Sequence, residues 1–208
     1  MKILVACQQS QRVANAFRAK GHEAYSCDLI DTSGPNPQYH IKGDAREVAY
    51  GDNWDMLLAF PPCTFLSNVS APRMRPGGVL DQERYQKALE ARQFFMDLLN
   101  APIYYVAVEN PLPLSMMQLP DPTQVIQPYM FGDPYTKRTL LWLRNLPALQ
   151  PTNVVTPVGS WVAINRKKSV RSKTFPGIAQ AMVEQWSGLK PIPYFSIQNI
   201  KANLTDKS

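Results

Sequence analysis

A chain of 208 residues with 45% hydrophobic content can bury a full core without staples, and it reads as one domain over 1–190 with a tail over 191–208. The formal charge of +6 fits a polyanionic partner, and no run approaches the roughly 18 apolar residues of a membrane span. Three cysteines (Cys7, Cys27, Cys63) without paired or metal-type spacing exclude a disulfide scaffold and a thiolate metal site, and point to a reducing, cytoplasmic setting.

Residues 2–7 read as a buried strand that begins at Lys2, which leaves no room for a signal peptide. Residues 10–20 carry Val13, Ala14, Ala16 and Phe17 as an apolar helical stripe, with Gly21 as the stop. A second strand over 22–27 ends at Asp28, where a carboxylate suits ribose hydroxyls. Between the first strand and the helix stands Gln8-Gln9-Ser10-Gln11 and no glycine-rich turn, which argues against a dinucleotide. A cofactor without phosphates needs less of that geometry. A Pro/Gly/Asn loop follows, then His40 to Asp44, a short strand or turn ending in a second acid.

Residues 54–60 form a near-continuous apolar strand that runs into Pro61-Pro62-Cys63. Prolines cannot donate to a ladder, so they end the strand and hold Cys63 on a stiff turn. Residues 66–80 lack a period and read as a functional or mobile loop, with Gly77-Gly78 as hinge and Arg73 and Arg75 within reach of phosphates. Asp81 caps a helix over 82–99, and a strand over 103–108 delivers Glu109-Asn110 at its end. If the sheet is parallel, Asp28, Cys63 and Glu109 converge on its carboxyl edge, where open α/β sheets bind ligands.

Residues 125–143 read as two strands with a turn, Lys137 and Arg138 at the turn's end. Arg166, Lys167, Lys168, Arg171 and Lys173 fall within eight residues, a solvated run or a phosphate grip. A helix over 178–186 follows Pro176-Gly177. His22 and His40 lack metal-ligand spacing.

Taken in order, Asp28, Gly43-Asp44, Pro61-Pro62-Cys63, Glu109-Asn110 and Gly132 to Arg138 resemble the successive motifs of C5-cytosine DNA methyltransferases, more particularly small phage- or prophage-type members. The resemblance covers about residues 1–186. It implies an α/β Rossmann-like methyltransferase fold, a mostly parallel sheet with helices on both faces. It implies S-adenosylmethionine as cofactor and a bacterial or phage-infected host. Cys63 is then the nucleophile at C6 and Glu109 the group that protonates or hydrogen-bonds N3. Asn110 holds the loop, and Lys137 or Arg138 stands near the base carbonyl. Gln9, Asp28, Asp44, Ala45, Pro62 and Gly177 are the implied cofactor contacts. The 66–80 loop corresponds to the segment that closes over a flipped base, and Arg73, Arg75, Arg166, Lys167, Lys168 and Arg171 to nucleic-acid contacts.

Two stretches depart from the family's pattern. Ala6 to Gln11 replaces its Phe-x-Gly-x-Gly-Gly loop, so Gln8 and Gln11 crowd a ligand unless the loop takes another path. Only about thirty residues separate the strand at 139–143 from the final motif, which leaves no large target-recognition region. Duplex DNA, single strands and a free cytosine nucleotide all remain open as substrate. Two other readings stand beside this one. One is a methyltransferase-like protein without catalysis that binds nucleic acid or a protein partner. The other is a nucleotide-modifying enzyme using the same Cys/Glu pair without S-adenosylmethionine.

Overall fold

A computed structural model describes residues 1–165 and 173–192. Seven strands form one sheet: β1 (Lys2–Ala6), β2 (Glu23–Asp28), β3 (His40–Lys42), β4 (Met56–Ala59), β5 (Tyr105–Asn110), β6 (Gln124–Ile126) and β7 (Thr139–Arg144). Their order is β3-β2-β1-β4-β5-β7-β6. The first five run parallel, while β7 is antiparallel to β5 and β6 antiparallel to β7. The α/β, Rossmann-like architecture is the one expected from the sequence.

The central strands are apolar along their whole length because both faces are covered. On one face, α1 (Arg12–Ala19) and the C-terminal helix pack Val13, Phe17, Ile178, Met182 and Trp186 against Ile3, Val5, Met56 and Leu58. On the other, α2 (Ala45–Gly51) and α4 (Gln82–Leu99) pack Ala49, Phe95 and Leu98 against Leu4, Leu57, Val106 and Val108. Short helices α3 (Ala71–Met74) and α5 (Trp161–Ile164) and the C-terminal helix α6 (Pro176–Trp186) complete the set among the described residues.

Asp81 caps α4 as expected: its Oδ1 accepts from the Arg84 N–H at 3.0 Å. Asp81→Ala is expected to cost about 1 kcal/mol, read as a lower midpoint in urea unfolding.

Several boundaries differ from the sequence expectation. Helix α2 was not anticipated, although Asp44 and Glu47 carry the acidic start of a helix, with the Asp44 side chain accepting from Arg46 N. Strand β5 runs two residues further, so Glu109 and Asn110 lie inside it, held by ladder pairing with Leu141 and Leu140 of β7. The 66–80 segment is a chain of short helical turns and not open loop. It is tied to 112–114 by Asn68 N to Leu112 O (2.8 Å) and Leu114 N to Leu66 O (2.7 Å). Helix α6 starts at Pro176, where proline's missing N–H costs nothing, so Gly177 lies in its first turn.

Among the described residues no helix is long and apolar enough to cross a membrane, and no group of three or more His, Cys, Asp or Glu is placed to hold a metal ion.

Candidate active site

The parallel arrangement brings the predicted residues to one sheet edge. Asp28 ends β2, Glu109 is the penultimate residue of β5, and Cys63 lies on the turn that follows β4. Because β7 is antiparallel, its start delivers Lys137, Arg138 and Thr139 to the same edge. The order of the sheet reverses between β1 and β4, and the crevice beyond such a switch point is where ligands bind.

Register sets the neighbours. Ala59 pairs with Val108, so Phe60 lies alongside Glu109. Both line a pocket together with Lys137, Thr139, Thr174 and Phe175. Sequence reasoning singled out neither Phe60 nor Thr139 for it, since a strand end and a strand start carry no chemical signal on their own. Burial pushes the Glu109 carboxyl above its ordinary pKa, and the Lys137 ammonium opposes that shift. A carboxyl that keeps its proton near neutrality can donate to a ring nitrogen. Lys137 also lies over the Phe175 ring, 5.9 Å from its centroid. Arg138 is exposed, so of the two basic residues the pocket takes Lys137.

Cys63 and Pro62 are exposed beyond buried Pro61. The other two thiols are of another kind. Cys27 is buried and pushed up to about 12, and burial raises Cys7 as well. Both are therefore poor nucleophiles, and Cys63 is the thiol open to a ligand.

The Gln-rich loop does take another path. Gln8 is buried, its Oε1 accepting from Val13 N at 3.0 Å in the first turn of α1 and its Nε2 donating to Thr174 Oγ1 at 3.4 Å. Gln11 is fully buried with φ 55°, in the left-handed conformation that glycine usually supplies. Its Nε2 donates to Asn36 O (2.8 Å), and its Oε1 accepts from Asn36 N (3.2 Å). Gly34 makes room for it: a Cβ there would lie 2.5 Å from Gln11 Oε1. Gln9 contributes its carbonyl, which accepts from Thr32 Oγ1 (2.9 Å) and Ser33 N (3.1 Å). Gln8 and Gln11 thus fill the protein side and not the crevice. Asp28 makes no side-chain hydrogen bond or ion pair among the described residues, which suits it to ribose hydroxyls. A carboxylate at the end of β2 and the absence of a glycine-rich turn fit a nucleoside cofactor without phosphates.

Other implied cofactor contacts have structural duties. The Asp44 carboxylate caps α2 and pairs with Arg46 Nη2 at 2.7 Å, which holds its pKa below the usual range. The Ala45 side chain is buried in the core. Gly177 N donates to Asp133 Oδ2 (3.0 Å), and its backbone packs directly on Phe131. Asn110 is fully buried, with neither Oδ1 nor Nδ2 hydrogen-bonded. Arg73 and Arg75 are exposed on the turns after Cys63. Arg166, Lys167, Lys168 and Arg171 lie outside the described residues.

No family model matches the chain, and no curated protein matches it. A solved chain from E. coli, a candidate DNA modification methyltransferase encoded within a prophage, is similar in structure at a TM-score of 0.46 and 14% identity. The match covers 75% of this chain and 52% of that one, so the chain spans about half the length of the protein it matches. Likeness at this level is too slight to carry fold or chemistry, which rest on the sheet topology and the residues themselves.

Proposed function

We propose that the protein is an S-adenosylmethionine-dependent methyltransferase acting at C5 of cytosine, in DNA, single strands or a nucleotide, through a covalent Cys63 adduct. One observation carries this reading. A carboxyl group whose pKa burial raises shares a pocket with an ammonium group beside the strand end that delivers an exposed cysteine.

The chemistry demands such a pair. C5 of cytosine is a poor nucleophile until a nucleophile adds at C6. Glu109 donates its proton toward N3, which makes C6 electrophilic, and Lys137 stabilises the charge that develops on the ring carbonyl. The Cys63 thiolate forms the bond to C6, and the ring electrons collect at C5. Bound S-adenosylmethionine would supply the methyl group that C5 accepts. Loss of the C5 proton then expels the Cys63 thiolate and restores the ring. Asp28 and the backbone after β1 would hold the cofactor, and Phe60 and Phe175 exclude water from the Glu109 proton.

Methyl transfer from radiolabelled S-adenosylmethionine, offered in parallel to duplex DNA, single-stranded DNA and deoxycytidine monophosphate, tests the reading. Label in one of them supports it and selects the substrate. No label in any, with no measurable cofactor binding, overturns it in favour of a binding protein on the same fold.

Glu109→Gln is expected to lower kcat/KM by about 10²- to 10⁴-fold. The wild-type rate should also decline as pH rises through the raised Glu109 pKa, because the proton donor is lost there. Stability follows the same sign. Unfolded Glu109 releases its proton near pH 4.3, so between that pH and the raised native value the folded chain alone retains it. The stability that proton confers is fully present below pH ~4.3 and is lost as pH rises through the native pKa. Glu109→Gln should flatten that decline in thermal melts taken across the window.

A further inference from the structure

We propose that Arg84 forms an oxyanion subsite that receives the phosphate of the nucleotide whose base is held between Cys63 and Glu109. The inference rests on the reading of the site given above and adds to it a residue that sequence motifs did not mark.

Arg84 stands in the first turn of α4, and its guanidinium lies over Phe65, 5.0 Å from the ring centroid. Phe65 is two residues past Cys63. Arg84 Nε and Nη2 are buried and have no hydrogen-bond partner. These two atoms form one edge of the guanidinium plane, the edge that meets two phosphate oxygens side-on. The neighbouring acids are committed elsewhere: Asp81 to the Arg84 backbone N–H (3.0 Å), Glu83 to Lys87 Nζ (2.5 Å). Two covered guanidinium donors without an acceptor are costly, and an apolar side chain would pack on Phe65 without that cost. The retained arginine therefore points to an anion that this edge is built to receive.

A second observation lies on the same side of the sheet. Along β5, Val106 and Val108 face the α2/α4 core, and alternation puts Asn110 on that face. Of the five buried side-chain nitrogen and oxygen atoms without a partner among the described residues, four belong to Arg84 and Asn110. The segment after Cys63 meets Arg84 through Phe65 and is bridged at Ser67 to Pro113, three residues past Asn110. Of these unmet polar groups, Arg84 lies directly against the stretch that follows the nucleophile. Exposed Arg73 and Arg75 on the next turns keep that surroundings positive. Both Arg84 groups are covered here, so the phosphate enters as the 64–80 segment shifts. Gly77 and Gly78, at φ +61° and +86° with no atom near their Cβ positions, are the turn about which that shift is taken.

Binding measured on the Cys63→Ser chain tests the subsite without turnover. Two probe pairs distinguish the phosphate's source. Deoxycytidine is compared with deoxycytidine monophosphate for a free nucleotide. A single-stranded oligonucleotide holding one cytosine is compared with the same strand carrying neutral methylphosphonates flanking that cytosine, for a nucleic-acid backbone. The charged member of one pair is expected to bind about tenfold or more tightly. Arg84→Gln and Arg84→Met, each added to Cys63→Ser, should erase that margin, and Arg84→Met should raise the melting temperature by removing two covered donors that lack an acceptor. The proposal is overturned if neither pair shows a margin, or if the margin survives both substitutions. A fall in melting temperature with the margin intact assigns Arg84 to packing alone and equally overturns it. Labelled methyl transfer fails or succeeds independently of these binding ratios, so the subsite and the methyltransferase reading can fall separately.

Discussion

Cys63→Ser is expected to cut methyl transfer by about 10⁴-fold or more while leaving cofactor binding unchanged. The attack on C6 needs an anionic nucleophile. A cysteine thiol ionises far more readily than a serine hydroxyl, which supplies almost no alkoxide without an adjacent base. Neither of the other thiols can take over: Cys27 is buried and Cys7 is pushed up by burial beside Asp28 and Asp44. Cys63 is exposed on its turn, so the substitution should move stability by no more than about 0.5 kcal/mol. Single-turnover transfer from labelled cofactor, with a thermal melt of the same sample, reads both quantities. Transfer at a wild-type rate in the variant would remove the covalent mechanism.

Gly177→Ala should destabilise the fold by about 3 kcal/mol or more. A Cβ at Gly177 would lie 1.8 Å from Phe131 O, 2.8 Å from Phe131 C and 2.9 Å from Asp133 Oδ2. Two of these are backbone atoms, which cannot rotate aside as a long side chain can. Relief requires α6 to lift away, and α6 carries Ile178, Met182 and Trp186 into the core. Thr174 and Phe175 just before it line the Glu109 pocket, where Arg12 Nη1 of α1 and Gln8 Nε2 of the loop after β1 hold Thr174. The measurement is the denaturant midpoint at unchanged slope. If Gly177 mattered only as a cofactor contact, the alanine variant would unfold like wild type and lose only cofactor affinity, which separates the two roles.

What was legible in the sequence is local. Apolar runs over 2–7 and 54–60, the apolar stripe of 82–99 and the prolines at 61 and 62 fix elements through period and through missing N–H groups. Asp28, Cys63 and Glu109 at strand ends follow from the same reading, and parallel strands then leave one edge for all three. The misjudged boundaries have local reasons as well. Helix α2 is too short for a period to declare itself, and β5 is extended by pairing with β7, which lies thirty residues further along.

The rest depends on which distant backbone segments meet. Nothing in Gln8-Gln9-Ser10-Gln11 says that two of its side chains turn inward, because their partners are Val13, Thr174 and Asn36. Lys137 is selected over Arg138 because the chain entering β7 sets Lys137 against the pocket of Glu109 and leaves Arg138 in solvent. Gly177 needs to be glycine because Phe131 O lies against it, and Arg84 is unpaired because Asp81 and Glu83 are held elsewhere. Periodicity and turn chemistry act between neighbours in the chain, so the sequence alone determined the elements and the edge on which the chemistry stands. Burial, charge pairing and close approach act between neighbours in space, so only the tertiary structure decided which side chains face one another there.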